Sequence, residues 1–342
     1  MSELNLTRRH FAGLAAVGAA TLGAGLAGCS SGTAASSSEA ASASASAEAQ
    51  ASSSAEEASQ SSAEAAAASS STTQTTEEEM ARPVILVTSF GTSFPDSRHI
   101  TIGAIESAIR ESYPDYDVRR AFTAQIIIDH IEKDTGRHID NFEEAMERAI
   151  KDGVKEIIVQ PTHLMDGFEY TDIKDALANY ESSFEKCALG EPLLASDADQ
   201  KAVAEAIKAA MEEYEDDSTA ICLMGHGTEA DSNSIYETMQ GVFTDLGYDN
   251  YFVATVEAEP TFDDVAEAAS KAGYTKAVLR PMMVVAGDHA NNDMADEEDP
   301  ESFASIMKNA GFEVQSVIEG LGQLDAVDDI YVQHVAAAIS TL

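Results

Sequence analysis

The sequence is poor in cysteine and in basic residues, and it has no tryptophan. Its 342 residues include 3 Cys and 20 Lys+Arg against 60 Asp+Glu, which gives a formal net charge of −40. Three cysteines do not form a disulfide framework in a chain of this size. The acidity argues against nucleic acid and anionic lipid as partners, because both attract positively charged proteins.

The chain also lacks the short motifs of several common enzyme classes. It has no Gly-x-Ser-x-Gly elbow, no P-loop, no Gly-x-Gly-x-x-Gly after a strand, no His-Glu-x-x-His helix and no Cys-x-x-Cys pair. These absences argue against a serine hydrolase, a nucleotide-binding fold, a zinc peptidase and a dithiol redox site.

The longest apolar stretch lies near the N-terminus and resembles an export signal. Residues Thr7–Phe11 include two adjacent arginines, and the Ala/Gly-rich run that follows ends at Leu26–Cys29. Paired arginines are typical of twin-arginine signals, and the ending resembles a lipobox, in which the cysteine is lipidated after cleavage. A plain signal peptide or an N-terminal membrane helix is the alternative. We predict a signal over residues 1–29, lipidation at Cys29 and anchoring at the extracytoplasmic face of the cell membrane.

Residues 30–80 are nearly all Ser, Ala, Glu, Thr and Gln. So few large apolar side chains cannot offset the entropy lost on folding, which predicts a disordered tether. The first 80 residues hold 2 Arg and 9 Glu, which leaves 18 basic and 51 acidic residues in 81–342. The region that is expected to fold therefore carries about −33, a charge that favours solubility.

From Arg82 onward, short apolar runs alternate with segments of helical periodicity. The runs predict strands over Pro83–Phe90, Asp117–Thr123, Glu156–Leu164, Cys187–Leu194, Ala220–Met224, Tyr251–Val256, Lys276–Val285 and Val314–Ile318. Helices are predicted over Ile100–Ser112, Phe142–Lys151, Ile173–Tyr180, Ala202–Tyr214, Ser234–Phe243, Asp263–Ala272, Ser302–Ala310 and Asp325–Ile339. This alternation is typical of parallel sheets with helices on both faces. Cys187 and Cys222 fall in predicted strands, where we expect buried, unbonded thiols.

The folded region reads as two similar halves. Residues 157–161 parallel 277–281, a glycine follows each proline at the same distance, and residues 89–92 parallel 225–228. We therefore predict an α/β fold with two doubly wound parallel-sheet lobes, residues 81–216 and 217–342. The lobes are expected to face each other across a cleft, where ligand sites are favoured.

Potential ligands recur where predicted strands end. Three histidines and one glutamate close or follow strands: His163, His226, His289 and Glu257. Open α/β sheets bind ligands at this edge, and imidazoles with a carboxylate suit Co²⁺, Ni²⁺, Fe²⁺ or Zn²⁺. Taken singly, each is better explained as a capped or hydrogen-bonded turn residue, and it is their shared position at strand ends that favours a ligand site. Surface positions are expected for the histidines in or beside predicted helices: His99, His130, His138 and His334.

The stretch from Val84 to the C-terminus resembles the class II sirohydrochlorin cobaltochelatases of the anaerobic pathway. The matching motifs are residues 89–93, 120–123, 163–170, 224–227, 256–257, 285–295 and 320–322. The resemblance implies a chelatase fold and a lyase that inserts Co²⁺ into the tetrapyrrole sirohydrochlorin in cobalamin biosynthesis. It implies that the metal ligands are His226, Glu257 and His289.

Further roles in the same cleft are expected on this basis. Catalytic roles are predicted for His226, His163 and Glu169. Tetrapyrrole contacts are predicted for Ser89, Phe90, Gly91, Thr92 and Arg120, of which Arg120 and the loop amides would meet acidic ring substituents.

Two functions follow from these features. One is a membrane-tethered chelatase with Co²⁺ as its substrate metal, with Ni²⁺, Fe²⁺ or Zn²⁺ as alternatives and no organic cofactor. The other is an extracytoplasmic protein that binds haem, another tetrapyrrole or a divalent metal without turnover, since a lipid anchor with a tether is typical of capture proteins. In both cases the partners are a small tetrapyrrole and the membrane, and the sequence leaves open whether the chain forms a homo-oligomer.

Overall fold

The computed structural model describes residues 81–342, so the predicted signal, the tether and Cys29 lie outside the described residues. Two four-stranded sheets, parallel throughout, form the centre of this region. The strands are β1 (Val84–Ser89), β2 (Asp117–Phe122), β3 (Glu156–Pro161), β4 (Lys186–Leu189), β5 (Thr219–Gly225), β6 (Tyr251–Thr255), β7 (Lys276–Pro281) and β8 (Glu313–Ser316). The first sheet has the order β2-β1-β3-β4 and the second has the equivalent order β6-β5-β7-β8. The predicted α/β class and parallel sheets are confirmed.

Helices connect successive strands. They are α1 (Pro95–Ile100), α2 (Ile102–Ser112), α3 (Gln125–Thr135), α4 (Phe142–Lys151), α5 (Phe168–Ala178), α6 (Asp197–Met211), α7 (Ser234–Asp245), α8 (Phe262–Ala272), α9 (Phe303–Asn309) and α10 (Asp325–Ile339). Within residues 81–342, no helix combines the length and apolar character that crossing a membrane would require.

The positions of the strands in the sheets explain their sequences. Every residue of the inner strands β1 and β5 is buried, because helices cover both faces, and both strands are therefore continuous apolar runs. The edge strands β4 and β8 are short and partly exposed. The predictions for β3 and β7 ran past Pro161 and Pro281, which end these strands. The pattern missed these ends because further apolar residues follow each proline, at 164–165 in the first half and 282–286 in the second.

Equivalent helices in the two halves begin with the same local device. The Asn141 side chain accepts a hydrogen bond from the Glu144 amide at the start of α4, and the Glu144 carboxylate accepts one from the Asn141 amide. Thr261 and Asp264 form the same reciprocal pair at the start of α8. Each such cap stabilises its helix by about 1 kcal/mol. Because both halves use the same cap, their similarity extends to the starts of these helices.

The C-terminal helix packs against the first sheet, although it follows the second sheet in sequence. α10 contacts α2, α6 and β3. The Tyr331 hydroxyl donates to the Thr162 carbonyl at 2.9 Å, and the Tyr113 hydroxyl donates to the Val332 carbonyl at 2.8 Å. His334 is buried in this interface, so its predicted surface position is wrong. A shared apolar core, with residues from both sheets, lies beneath these contacts.

Candidate active site

The side chains predicted to act together follow strands of both sheets. Phe90 follows β1, His163 lies just beyond β3, and His226, Glu257 and His289 lie beyond β5, β6 and β7. The loops of the two sheets meet. A Cβ placed on Gly287 would lie 3.1 Å from Thr92 Oγ1, and one on Gly167 would lie 3.5 Å from Ser232 Oγ. Loops from the carboxyl edges of both sheets therefore border one cleft.

The second sheet brings together the three predicted metal ligands. The rings of His226 and His289 lie edge to face, with centroids 4.6 Å apart and an interplanar angle of 89°. His226 Nδ1 lies 3.9 Å from Glu257 Oε2. The backbone fixes this pairing, since the Glu257 amide donates to the His226 carbonyl at 2.9 Å. We call His226, Glu257 and His289 the ligand triad.

Hydrogen bonds set the tautomers of both imidazoles. His226 Nδ1 lies 2.8 Å from the Gly227 carbonyl, which can only accept, so Nδ1 carries the proton. His289 Nδ1 lies 2.9 Å from Asp293 Oδ2. In the neutral rings the lone pair is then on Nε2, the arrangement that carboxylate–histidine pairs impose in metal sites.

The charges around His289 favour its protonated form. Burial alone lowers the pKa of His289, but the hydrogen bond to Asp293 and the charges of Asp293, Asp288 and Glu257 outweigh burial and raise it. Burial raises the pKa of the Asp288 carboxyl, an effect that the nearby His289 opposes. A cation that binds at His289 therefore competes with a proton, and carboxylates lie near the place it would occupy.

Glycines hold the His226 loop in shape. A Cβ on Gly225 would overlap the ring of Tyr236, whose hydroxyl accepts a hydrogen bond from the Gly227 amide at 3.2 Å. Gly227 has φ +85°, and a Cβ there would lie 2.8 Å from the Ala258 amide nitrogen. Both glycines are required for steric reasons, since the loop packs directly against the segment that carries Glu257.

His163 and Glu169 form a second group, on the first sheet. His163 Nε2 lies 3.0 Å from Glu169 Oε2, but the geometry is not that of an aligned hydrogen bond. Only 9% of the His163 side chain is exposed, and its Nδ1 has no hydrogen-bond partner within the described residues. Glu169 lies in the first turn of α5 and is 44% exposed. A buried base next to a solvent-facing carboxylate can receive a proton and pass it outward.

The first-sheet positions equivalent to the ligand triad carry different chemistry. The Ala124 amide donates to the Phe90 carbonyl, just as the Glu257 amide donates to the His226 carbonyl. Glu169 lies as far beyond Pro161 as His289 lies beyond Pro281. The equivalent pairs are Phe90 with His226, Ala124 with Glu257, and Glu169 with His289. The first sheet therefore lacks this triad and presents the partly exposed aromatic Phe90 in its place.

The predicted tetrapyrrole-contact residues lie around the loop after β1, with differing exposure. Ser89 and Thr92 are buried, and the Thr162 hydroxyl donates to Ser89 Oγ at 2.8 Å. Gly91 has φ +101°, and the ring of Phe122 fills the place of a Cβ. The Arg120 guanidinium forms a bidentate ion pair with Glu106, at 2.5 and 2.8 Å.

A separate group of potential metal ligands lies between α3 and α4. Ligand atoms of His138, Asp140 and Glu144 lie within 4.8 Å of one another. Each is engaged already: Arg148 binds Asp140, Glu144 caps α4, and His138 contacts Glu144 at 2.9 Å. We interpret this group as an ion-pair network. The ligand triad is more open than this group, so its side chains must rotate to close on an ion.

Sequence reasoning missed Asp293 and Tyr236. The spacing of four residues between His289 and Asp293 was a readable signal, because such residues share one helical face. Tyr236 carried no signal, since its contact with the His226 loop depends on the packing of α7.

Comparisons with known proteins show the family of the chain. Residues 83–340 match the model of the family described as Cobalt chelatase (CbiK). The chain is 30% identical over 259 residues to a sirohydrochlorin cobaltochelatase of Salmonella typhimurium, covering 76% of this chain and 97% of that protein. It is 28% identical over 265 residues to the sirohydrochlorin cobaltochelatase CbiKC of Nitratidesulfovibrio vulgaris, covering 77% and 93% respectively.

A solved structure resembles the fold. SirB from Bacillus subtilis with Fe³⁺ has a TM-score of 0.53 at 15% identity, over 76% of this chain and 97% of SirB. At this identity the likeness concerns the fold alone.

Proposed function

The chain belongs to the cobalt chelatase (CbiK) family, and from this membership we infer that it is a sirohydrochlorin cobaltochelatase of cobalamin biosynthesis. The observation that carries this proposal is the ligand triad, with the His226 and His289 rings 4.6 Å apart and Glu257 beside them. Two imidazoles and a carboxylate hold a borderline divalent ion such as Co²⁺ while leaving coordination positions open.

The reaction exchanges two pyrrole protons for the metal. The Nε2 atoms of His226 and His289 hold Co²⁺, and the Glu257 carboxylate offsets part of its charge. The macrocycle lies in the cleft with one face toward this ion, so that orientation replaces a chance encounter in solution. The ring gives up two N–H protons as Co²⁺ enters, and the pair His163–Glu169 accepts these protons one after the other and passes each toward solvent. An open triad suits this task, because a chelatase must release its metal to the ring.

The preference among metals is part of the proposal. Co²⁺ is the expected substrate, and Ni²⁺, Fe²⁺ and Zn²⁺ suit the same ligand types. The chemistry is proton loss and ligand exchange without electron transfer, so no organic cofactor is required.

We further propose that the chain is exported and anchored by a lipid on Cys29 at the extracytoplasmic face of the membrane. The paired arginines before an apolar run and the Leu26–Cys29 ending support this. Mass spectrometry of the protein purified from its native membrane should show a chain that begins at Cys29 with a lipid on its thiol. An unmodified Cys29, or a chain that still carries residues 1–28, would contradict the lipid anchor.

Metal insertion is the test of the function. The purified protein, mixed with sirohydrochlorin and Co²⁺, should convert the ring spectrum faster than the spontaneous reaction. His226→Ala and His289→Ala should abolish the acceleration, whereas His130→Ala, an exposed histidine on α3, should not. No acceleration with Co²⁺, Fe²⁺ or Ni²⁺ would refute the proposal, and tight tetrapyrrole binding without turnover would favour a capture protein.

A further inference from the structure

Three arginines gather beside the loop that follows β1, in a folded region where acidic residues greatly outnumber basic ones. Arg98 lies in α1, Arg120 in β2 and Arg137 just beyond α3. The pKa of Arg98 is lowered by burial and by the positive charges of Arg120 and Arg137, so the three groups repel one another. Such clustering is unfavourable unless something anionic compensates it.

Only one of the three has an acidic partner. Glu106 neutralises Arg120 through two short contacts. Arg98 and Arg137 form no ion pair with any carboxylate of residues 81–342; Arg98 Nη1 donates only to the carbonyls of Thr92 and Ser93. A guanidinium has five N–H donors, so both arginines retain donors for a planar carboxylate.

Arg98 lies next to the cleft, and Arg137 lies close enough to Arg98 for their charges to interact. Arg98 holds the carbonyl of Thr92 at 2.8 Å, and the Thr92 side chain faces Gly287, two residues before His289. Arg137 precedes Ile139 by two residues, and Ile139 packs in the same apolar cluster as Val285 of the His289 loop. The arginines therefore border the first-sheet side of the cleft, where no ligand triad is present.

We propose that Arg98 and Arg137 form an anion-binding rim that holds carboxylate substituents of the tetrapyrrole while the ring faces the ligand triad. This inference rests on the proposed function and assigns the group that orients its substrate. The cleft is then divided by charge: carboxylates near His289 attract the metal cation, and the two unpaired arginines attract the acidic edge of the macrocycle. Arg120 is not assigned to the rim, because Glu106 already offsets its charge.

Binding of the substrate without metal tests the rim separately from catalysis. Quenching of sirohydrochlorin fluorescence by the metal-free protein should give a Kd about tenfold higher for Arg98→Gln and for Arg137→Gln, since each loses charge-assisted hydrogen bonds. In Co²⁺ insertion, KM for sirohydrochlorin should rise similarly, whereas kcat and KM for Co²⁺ should stay near wild type. Added salt should weaken wild-type binding more than binding by the double variant.

Three controls keep the result specific. Arg110→Gln removes an exposed arginine from the last turn of α2 and should leave all constants unchanged. Arg98→Lys keeps the charge but loses the planar guanidinium, so its affinity for sirohydrochlorin should lie between those of wild type and Arg98→Gln. An uncharged ester of the tetrapyrrole should bind wild type and variants alike.

The outcomes separate this inference from the function on which it rests. Wild-type insertion together with unchanged sirohydrochlorin affinity in the double variant Arg98→Gln, Arg137→Gln would overturn the rim and leave the chelatase intact. A wild-type protein that neither binds the tetrapyrrole nor inserts Co²⁺ would overturn both.

Discussion

Gly227 lies between the proposed metal ligand His226 and the segment that carries Glu257, and replacing it with alanine should disturb the ligand triad. Its φ of +85° is a conformation that an L side chain adopts at a cost of roughly 1–2 kcal/mol. The added Cβ would also lie 2.8 Å from the Ala258 amide nitrogen and 3.0 Å from Thr255 Cβ. Backbone cannot rotate away as a flexible side chain can, so overpacking adds about 1–3 kcal/mol and displaces Ala258, the neighbour of Glu257.

Gly247 provides a matched control. It has φ +78°, but a Cβ there would meet no atom within 4 Å. Gly247→Ala should therefore lose about 1–2 kcal/mol of unfolding free energy and keep wild-type Co²⁺ affinity, whereas Gly227→Ala should lose roughly 2–5 kcal/mol. Because Glu257 moves, Co²⁺ affinity of Gly227→Ala should fall about 10–100-fold, as for other changes next to metal ligands. Urea unfolding measures the free energy of unfolding, and calorimetric titration measures the Co²⁺ affinity. Equal stability losses in the two variants, with Co²⁺ affinity kept in Gly227→Ala, would refute the reasoning.

Three further changes probe the cleft and its support. Asp293→Asn should lower the pKa of His289, so the rise of Co²⁺ affinity with pH should shift to lower pH; an unmoved titration would contradict the proton–metal competition. Glu169→Gln should reduce kcat about 100-fold and leave Co²⁺ affinity unchanged, and an unchanged kcat would exclude the His163 pair from proton removal. Burial raises the pKa of Asp328 to about 7. Because this carboxyl ionises at lower pH in the unfolded chain than in the folded protein, the free energy of unfolding falls as pH rises from about 4 to about 7. Asp328→Asn should therefore be more stable than wild type at pH 8, by on the order of 3 kcal/mol, with little difference at pH 4 in urea unfolding; a gap independent of pH would contradict this.

The two parallel sheets and the strands β1 and β5 could be predicted from sequence because a strand that is buried on both faces contains a run of apolar residues. α3 could not, since the run Ile126–Ile128 is β-branched and suits a strand as well as a helix. The sheet against which α10 packs could not be predicted either. Helical periodicity identifies an apolar face, but only the three-dimensional fold shows that this face packs on the first sheet.

For the site as well, some features could be predicted from the sequence and others could not. That His226, Glu257 and His289 lie close together could be predicted, because each follows a strand and parallel strands end at one edge. Their choice over His163 as metal ligands came from the family resemblance. The pairing of charged side chains could not be predicted, because it depends on residues that are far apart in sequence. Arg120 and Glu106 are 14 residues apart and still form a bidentate pair, whereas Arg98 remains without a carboxylate partner in the described region.

X-ray absorption of Co²⁺ bound to the purified protein tests the ligand triad most directly. The spectrum should show two imidazole nitrogens and a carboxylate oxygen, and His226→Ala and His289→Ala should each lose one imidazole together with insertion activity. His138→Ala, in the ion-pair network between α3 and α4, should change neither the spectrum nor the activity. An unchanged spectrum in His226→Ala, or loss of the bound ion in His138→Ala, would contradict the assignment of the metal to His226, Glu257 and His289.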